Sequence, residues 1–222
     1  MTAIGPRLGT PHDTRRRVER RLRRVGINLP RAQVDQLVGY LVLLTTWNQR
    51  MNLTSLDDAD EAVDRLIVEP VLAAAVIDES ARSLMDIGSG GGSPAVPLKV
   101  VRPDLALTMV EVKTRKSVFL REVVRHLALK SVVVETVRFE TLLSRPAVNG
   151  TIDVISIRAV RAEPAQLVLF AKRLILGGQQ LWFLSGAQPA PAIPAETGLA
   201  MECELPLVAS RRSRLLVLRR TA

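Results

Sequence analysis

One cysteine, Cys203, and two histidines stand in 222 residues. No internal disulfide is possible, and the histidines and cysteine have no metal-site spacing. The chain is therefore expected in a reducing cytoplasm, without a bound metal. Aromatic residues make up only 3% of the chain, too few for the stacking platforms of single-strand binders. No apolar run approaches the ~18 residues that a membrane span needs; Val71 to Ile77 is typical of what exists. The arginine-rich N-terminus has no apolar stretch behind it and does not read as a secretory signal. No membrane partner is expected. The apolar share of 47%, with 24% charged residues, suits a globular protein that buries a real core.

Charge is present in excess and unevenly placed. The net charge is +9, and residues 1–31 hold nine arginines against Asp13 and Glu19. Arg211, Arg212, Arg214, Arg219 and Arg220 close the chain with no acid near them in sequence. Two basic ends on a neutral middle point to a polyanion, RNA or DNA, as partner. The alternative is a solvated face in a chain that prefers arginine to lysine throughout, 26 to 5.

The most informative stretch is Asp86-Ile87-Gly88-Ser89-Gly90-Gly91-Gly92. An apolar run leads into an acid, glycines follow at once, and Pro94 stands where a helix begins. Such a strand–turn–helix lets backbone N–H groups approach a ligand closely. The dinucleotide pattern G-x-G-x-x-G wants glycine where Ser93 stands. The D-x-G-x-G-x-G spacing instead looks like the first motif of Rossmann-like S-adenosylmethionine-dependent methyltransferases. That assignment makes Asp86, Gly88, Gly90 and Ser93 candidate cofactor residues.

Around this loop the chain divides into an all-helical N-terminal portion, 1–80, and an α/β domain, 81–222. Val18, Leu22 and Val25 recur at helical spacing, as do Leu37, Leu41 and Leu44. Asp57 or Asp58 is placed to cap a further helix running through Ala75. After residue 82, β-rich runs near 83–87, 105–111, 131–136, 152–157 and 179–184 alternate with helical ones near 94–101, 114–128, 139–144 and 162–176. That alternation predicts a parallel sheet wrapped by helices. The runs 200–208 and 213–219 are expected to close it as an antiparallel hairpin.

Further candidates follow from the ends of these strands. Glu111 ends the second, where an acid accepts hydrogen bonds from both ribose hydroxyls of a nucleotide. Phe139-Glu140 follows the third, a place for an apolar residue on an adenine ring with an acid nearby. Arg158 follows the fourth, and its rigid fork suits a cofactor carboxylate or an RNA phosphate. What is missing narrows the chemistry. No Asn- or Asp-Pro-Pro-aromatic segment follows the fourth strand, as methylation of an exocyclic amine would want, and no cysteine stands there to attack a pyrimidine carbon. A ring nitrogen such as guanine N7 needs neither, because its lone pair is already nucleophilic; alignment with the methyl donor is then the main requirement.

Trp47-Asn48-Gln49-Arg50-Met51-Asn52-Leu53-Thr54 resembles the W-N-x-x-x-N-L-T segment of the bacterial small-subunit rRNA (guanine-N7) methyltransferase G family. Asp86 to Pro97, Glu111 to Val123 with Lys116 and Phe119-Leu120-Arg121, and Arg138-Phe139-Glu140 are similar to that family in order and spacing, from about 32 to 185. The resemblance implies a helical cap on a seven-stranded Rossmann-like domain and S-adenosylmethionine contacts at Gly88, Ser93, Phe139, Glu140 and Arg158. It also implies methylation of guanine N7 in small-subunit rRNA, free or in the ribosomal subunit, by a cytoplasmic monomer. Asn52, Arg121 and Arg158 are the candidate RNA contacts. Three segments depart from the pattern. The family's K-H-L-L-D is Asp64-Arg65-Leu66-Ile67-Val68, its S-R-A-F is Ile157-Arg158-Ala159-Val160, and its Leu-Lys-Gly is Leu184-Ser185-Gly186. Two alternatives stay open: a methyltransferase of this fold acting on another RNA or a small molecule, and a cofactor- or RNA-binding homologue without turnover.

Overall fold

The computed structural model describes residues 6–160, 163–186, 188–208 and 212–222. Thr10 and Asp13 close a reciprocal cap on α1 (Pro11–Arg24), and Thr14, Val18 and Leu22 form its buried stripe. α2 (Arg31–Asn48) buries Val34, Leu37, Val38, Leu41 and Leu44 at helical spacing. The helix expected through Ala75 is instead four short pieces: α3 (Ala59–Val63), a π-turn (Asp64–Val68), α4 (Glu69–Ala73) and a 3-10 turn (Ala74–Val76). Asp58 is its cap, accepting from the Glu61 N–H at 2.7 Å. Pro70 supplies the reason for the break, since it has no N–H to continue the α-helical ladder.

The remaining elements alternate as the pattern requires: β1 (Ser83–Ile87), α5 (Ala95–Val101), β2 (Ala106–Val110), α6 (Thr114–His126), β3 (Val132–Glu135), α7 (Phe139–Leu143), β4 (Ile152–Arg158), α8 (Pro164–Arg173), β5 (Leu174–Leu184), β6 (Leu199–Pro206) and β7 (Arg214–Arg220). They form one seven-stranded sheet ordered β3-β2-β1-β4-β5-β7-β6. The first five strands are parallel, and β7 pairs antiparallel with both β5 and β6. One boundary differs from the expectation. Leu174 to Gly178 belong to β5 rather than to the helix before it, and the β4–β5 register slips between Ile152 and Val154. The glycine pair thus serves a strand irregularity instead of a helix stop. Residue 162, expected at that helix's start, lies outside the described residues.

Strand order reverses between β1 and β4, so a crevice opens at their carboxyl ends. One apolar core runs from Leu8 and Val18 of the N-terminal portion to Leu215 and Val217 of β7, and a second lies on the opposite sheet face around Ile155, Phe170 and Trp182.

Candidate functional site

A cleft of about 1650 Å³ opens at the carboxyl ends of β1, β2 and β4, lined among others by Asn52, Gly88, Gly90, Ser93, Glu111 and Arg158. Its volume exceeds the ~300–1000 Å³ of a typical small-ligand site, leaving room for a cofactor and an acceptor together.

The glycine loop is built for two neighbours. A Cβ on Gly91 would stand 3.0 Å from the Leu53 carbonyl and 3.5 Å from Leu44, so that residue is bare because the N-terminal portion packs on it. Tyr40, the chain's one tyrosine, is fully buried and donates its hydroxyl to the Gly91 carbonyl at 2.7 Å. Gly90 is different. Its φ is +52°, and the nearest atoms to a Cβ there would be the Gly88 carbonyl at 3.6 Å and Lys116 Nζ at 3.9 Å, which leaves that side open to the cleft. Glu111 faces it: one carboxylate oxygen accepts from the Gly90 N–H at 2.9 Å, the other from the Lys113 N–H at 2.8 Å. A carboxylate has about four acceptor positions. Glu111 therefore keeps capacity for two hydroxyls, and these residues fit an adenosine-bearing cofactor.

The Trp47–Thr54 segment owes its shape to Asn48. Its side chain is buried, accepts from the N–H groups of Leu53 and Thr54 at 2.8 and 3.0 Å, and donates to the Thr54 carbonyl at 3.1 Å. This staple turns the loop back on itself and leaves Asn52 exposed at the cleft. Trp47 packs against Phe119 of α6 with ring centroids 5.7 Å apart.

Arg158 closes the far side and is already engaged. It is paired with the buried Glu69 at 2.8 Å, lies 4.4 Å over the Phe183 ring, and donates to the Arg65 carbonyl and to Ser93 Oγ. Burial holds its guanidinium below the ordinary value, against the opposing pull of Glu69. Val68, where the resembling family has an acid, is itself buried, and the acid that meets Arg158 stands one residue on, at Glu69.

Not every candidate lines the cleft. Asp86 is buried beneath the loop and accepts from Ser156 Oγ of β4 at 2.6 Å; its second oxygen has no partner among the described residues. Burial pushes its carboxyl up to about 6, partly opposed by the hydrogen bond from Ser156. Phe139 packs on Phe170 with centroids 5.5 Å apart, and Glu140 accepts from Gln166 at 3.0 Å; both sit at the start of α7, outside the lining. Arg121 also lies outside it, donating to the Val134 carbonyl and Thr136 Oγ1 at 3.1 and 2.7 Å.

Part of each basic end is engaged within the fold, while Arg16, Arg23 and Arg24 of α1 stay exposed. Arg15 pairs with Asp35, Arg17 and Arg20 with Asp60, and Arg21 with Asp64. Arg214 pairs with Glu204 and Arg219 with Glu202, because antiparallel β6 lies alongside β7. Arg220 donates to the carbonyls of Ala171 and Leu174, and Arg211 falls outside the described residues. The cations that face the cleft are others. Arg50, Arg65, Lys113, Arg115 and Lys116 line it, and no ion pair holds their side chains among the described residues. Lys113, Arg115 and Lys116 fall in the Glu111–Val123 stretch, and the fold adds Arg50 and Arg65 from the N-terminal portion to the same edge.

Comparisons with known proteins agree with this geometry. The family described as "rRNA small subunit methyltransferase G" matches residues 33–205. The chain is 38% identical over 157 residues to a ribosomal RNA small subunit methyltransferase G of Roseiflexus castenholzii, covering 70% of this chain and 67% of that one. It is 34% identical over 204 residues to the protein of that name from Pseudomonas fluorescens, covering 90% and 92%. Among solved structures, it is similar to an S-adenosylmethionine-dependent methyltransferase from Aquifex aeolicus, with a TM-score of 0.57, 15% identity, and coverage of 72% and 93%. A putative methyltransferase from Escherichia coli gives a TM-score of 0.54 at 18% identity, covering 70% and 86%.

Proposed function

Because the chain belongs to the rRNA small subunit methyltransferase G family, we propose that it methylates guanine N7 in small-subunit rRNA, in the cytoplasm, as a monomer. S-adenosylmethionine is the cofactor, and when bound it supplies an electrophilic sulfonium methyl group. The observation that carries the reading is the cleft itself. A glycine turn and Glu111 form one side, the Asn52 loop another, and cations with no ion pair among the described residues stand at its edge.

Each residue has a task in this scheme. Gly90 would leave space for the cofactor, Glu111 would accept from its ribose hydroxyls, and Gly88 and Ser93 would shape the turn that holds it. N7 carries its lone pair in the ring plane and loses no proton on methylation, so no general base is required. The chain's work is to hold N7 in line with the methyl carbon, an effect of proximity and orientation. The guanine must be exposed or flipped for this, and Asn52 stands where it would enter. Arg50, Lys113 and Arg115 neutralise the approaching phosphates.

The test incubates the protein and labelled cofactor with small ribosomal subunits, naked small-subunit RNA and small acceptors in parallel. N7-methylguanosine in the small-subunit RNA is the expected product. Label on another RNA or on a small acceptor alone would move the substrate, and cofactor binding without transfer to any acceptor would remove the catalytic assignment.

A further inference from the structure

The π-turn Asp64–Val68 and the proline that follows it release one backbone carbonyl each, and the cleft uses both. In an α-helix the Arg65 carbonyl would accept from the Glu69 N–H, but that N–H bonds to Asp64 instead. The Leu66 carbonyl would accept from residue 70, and Pro70 has no N–H to give. The freed Arg65 carbonyl receives the Arg158 guanidinium, and the freed Leu66 carbonyl receives Ser93 Oγ at 3.0 Å.

Both ends of the turn are fixed by buried ion pairs. At its start Asp64, 1% exposed, takes a two-pronged bond from Arg21 of α1, with Nε at 2.7 Å. At its end Glu69, equally buried, takes Arg158. One turn earlier Arg17 and Arg20 hold Asp60. Such paired forks fix geometry as well as charge, and π-turns within helices occur frequently at functional sites. Arg21 does not line the cleft and its side chain is 11% exposed, so it reaches the site only through this turn.

We propose that the π-turn is a positioning element for methyl transfer, released from α-helical geometry by Pro70, anchored to α1 by Arg21–Asp64, and seating Arg158 and Ser93 beside the cofactor loop. The proposal rests on the methyltransferase reading above. Its test uses Pro70→Ala, which returns an N–H to the helix, and Arg21→Lys, which keeps the charge and loses the fork. Melting temperature, kcat and KM with small subunits, cofactor affinity by calorimetry, and amide hydrogen exchange over 64–71 are read for each.

In Pro70→Ala the melting temperature should hold or rise while kcat falls roughly tenfold, a size in keeping with slight misplacement of reacting groups. KM for subunits should change less than threefold, and exchange over 64–71 should change in both variants. Wild-type kcat in both, or unaltered exchange, would overturn the proposal. So would a raised KM with unchanged kcat, which would make Arg21 an RNA contact, or unfolding of Arg21→Lys, which would make the pair a stability element only. Absence of methylation by the wild type would instead defeat the functional reading, and the exchange measurement would still judge the turn.

Discussion

Glu111 carries the clearest expectation for cofactor affinity, because its carboxylate ties the loop after β1 to the loop after β2 while facing the cleft. Hydrogen bonds to a charged group contribute about 1.5–3 kcal/mol, so Glu111→Ala should weaken cofactor binding roughly ten- to a hundredfold in calorimetry. A loss under threefold would leave Glu111 with the loops alone. Gly90→Asn tests the opposite face of the same contact. Asparagine tolerates positive φ, and its side chain would extend toward open cleft rather than protein. The variant should fold and bind cofactor poorly; unchanged affinity would place the cofactor elsewhere. Asp86 gives a prediction in pH. Its carboxyl, raised to about 6 from an ordinary 3.8 by burial, keeps its proton in the folded state where the unfolded chain has lost it. Stability from this source is therefore present below pH 4 and declines as pH rises to 6, by about 3 kcal/mol in all. Asp86→Asn should remove that decline from a series of urea melts; a parallel pH dependence in the two proteins would refute it. Glu111, Gly90 and Ser93 were legible in sequence because motif spacing and strand ends mark the crevice. Glu69 and Tyr40 were not, since their roles depend on partners 89 and 51 residues away.

At the scale of elements, the arginine run of α1 is partly engaged in ion pairs and partly exposed. Charge counted along the chain ignores Asp35, Asp60 and Asp64, which α2, α3 and the π-turn bring beneath that helix. The basic residues free to meet phosphate at the cleft include three at the start of α6. Changing Lys113, Arg115 and Lys116 together to glutamine should flatten the slope of log RNA affinity against log salt by about 2, at roughly 0.7 per single-strand phosphate contact. Base choice should persist, because phosphate contacts position without reading sequence. An unchanged slope would move RNA binding away from this edge. The elements themselves were largely legible. Apolar runs bounded by glycine and proline mark each parallel strand, and the expected closing hairpin is β6–β7. The four-piece helix before β1 was not: Pro70 marks in the sequence that the ladder must break, but the π-turn that absorbs the break is anchored by Arg21 of α1 and by Arg158, partners distant in sequence.

Across the whole molecule the helical portion and the sheet share one core, and the cofactor loop is one place where they touch directly. Tyr40→Phe removes one bond there and leaves the ring in place. The unpaired Gly91 carbonyl should cost about 1–3 kcal/mol, read as a melting temperature lower by several degrees; an unchanged melt would show that carbonyl satisfied by other means. Sequence composition announces two portions, helical and then alternating, but composition cannot say whether their apolar faces meet.

That meeting at Gly91 bears on how such proteins can be recombined. A border near residue 80 looks, on paper, like a place to exchange N-terminal halves between relatives. The floor of the cofactor turn, however, is Leu44, Leu53 and Tyr40, all donated from the other side of that border. A hybrid spliced there would inherit its glycines from one parent and the surface they were shaped against from the other. Exchange is expected to succeed only when both sides travel together, so the unit of inheritance is the interface and not the half.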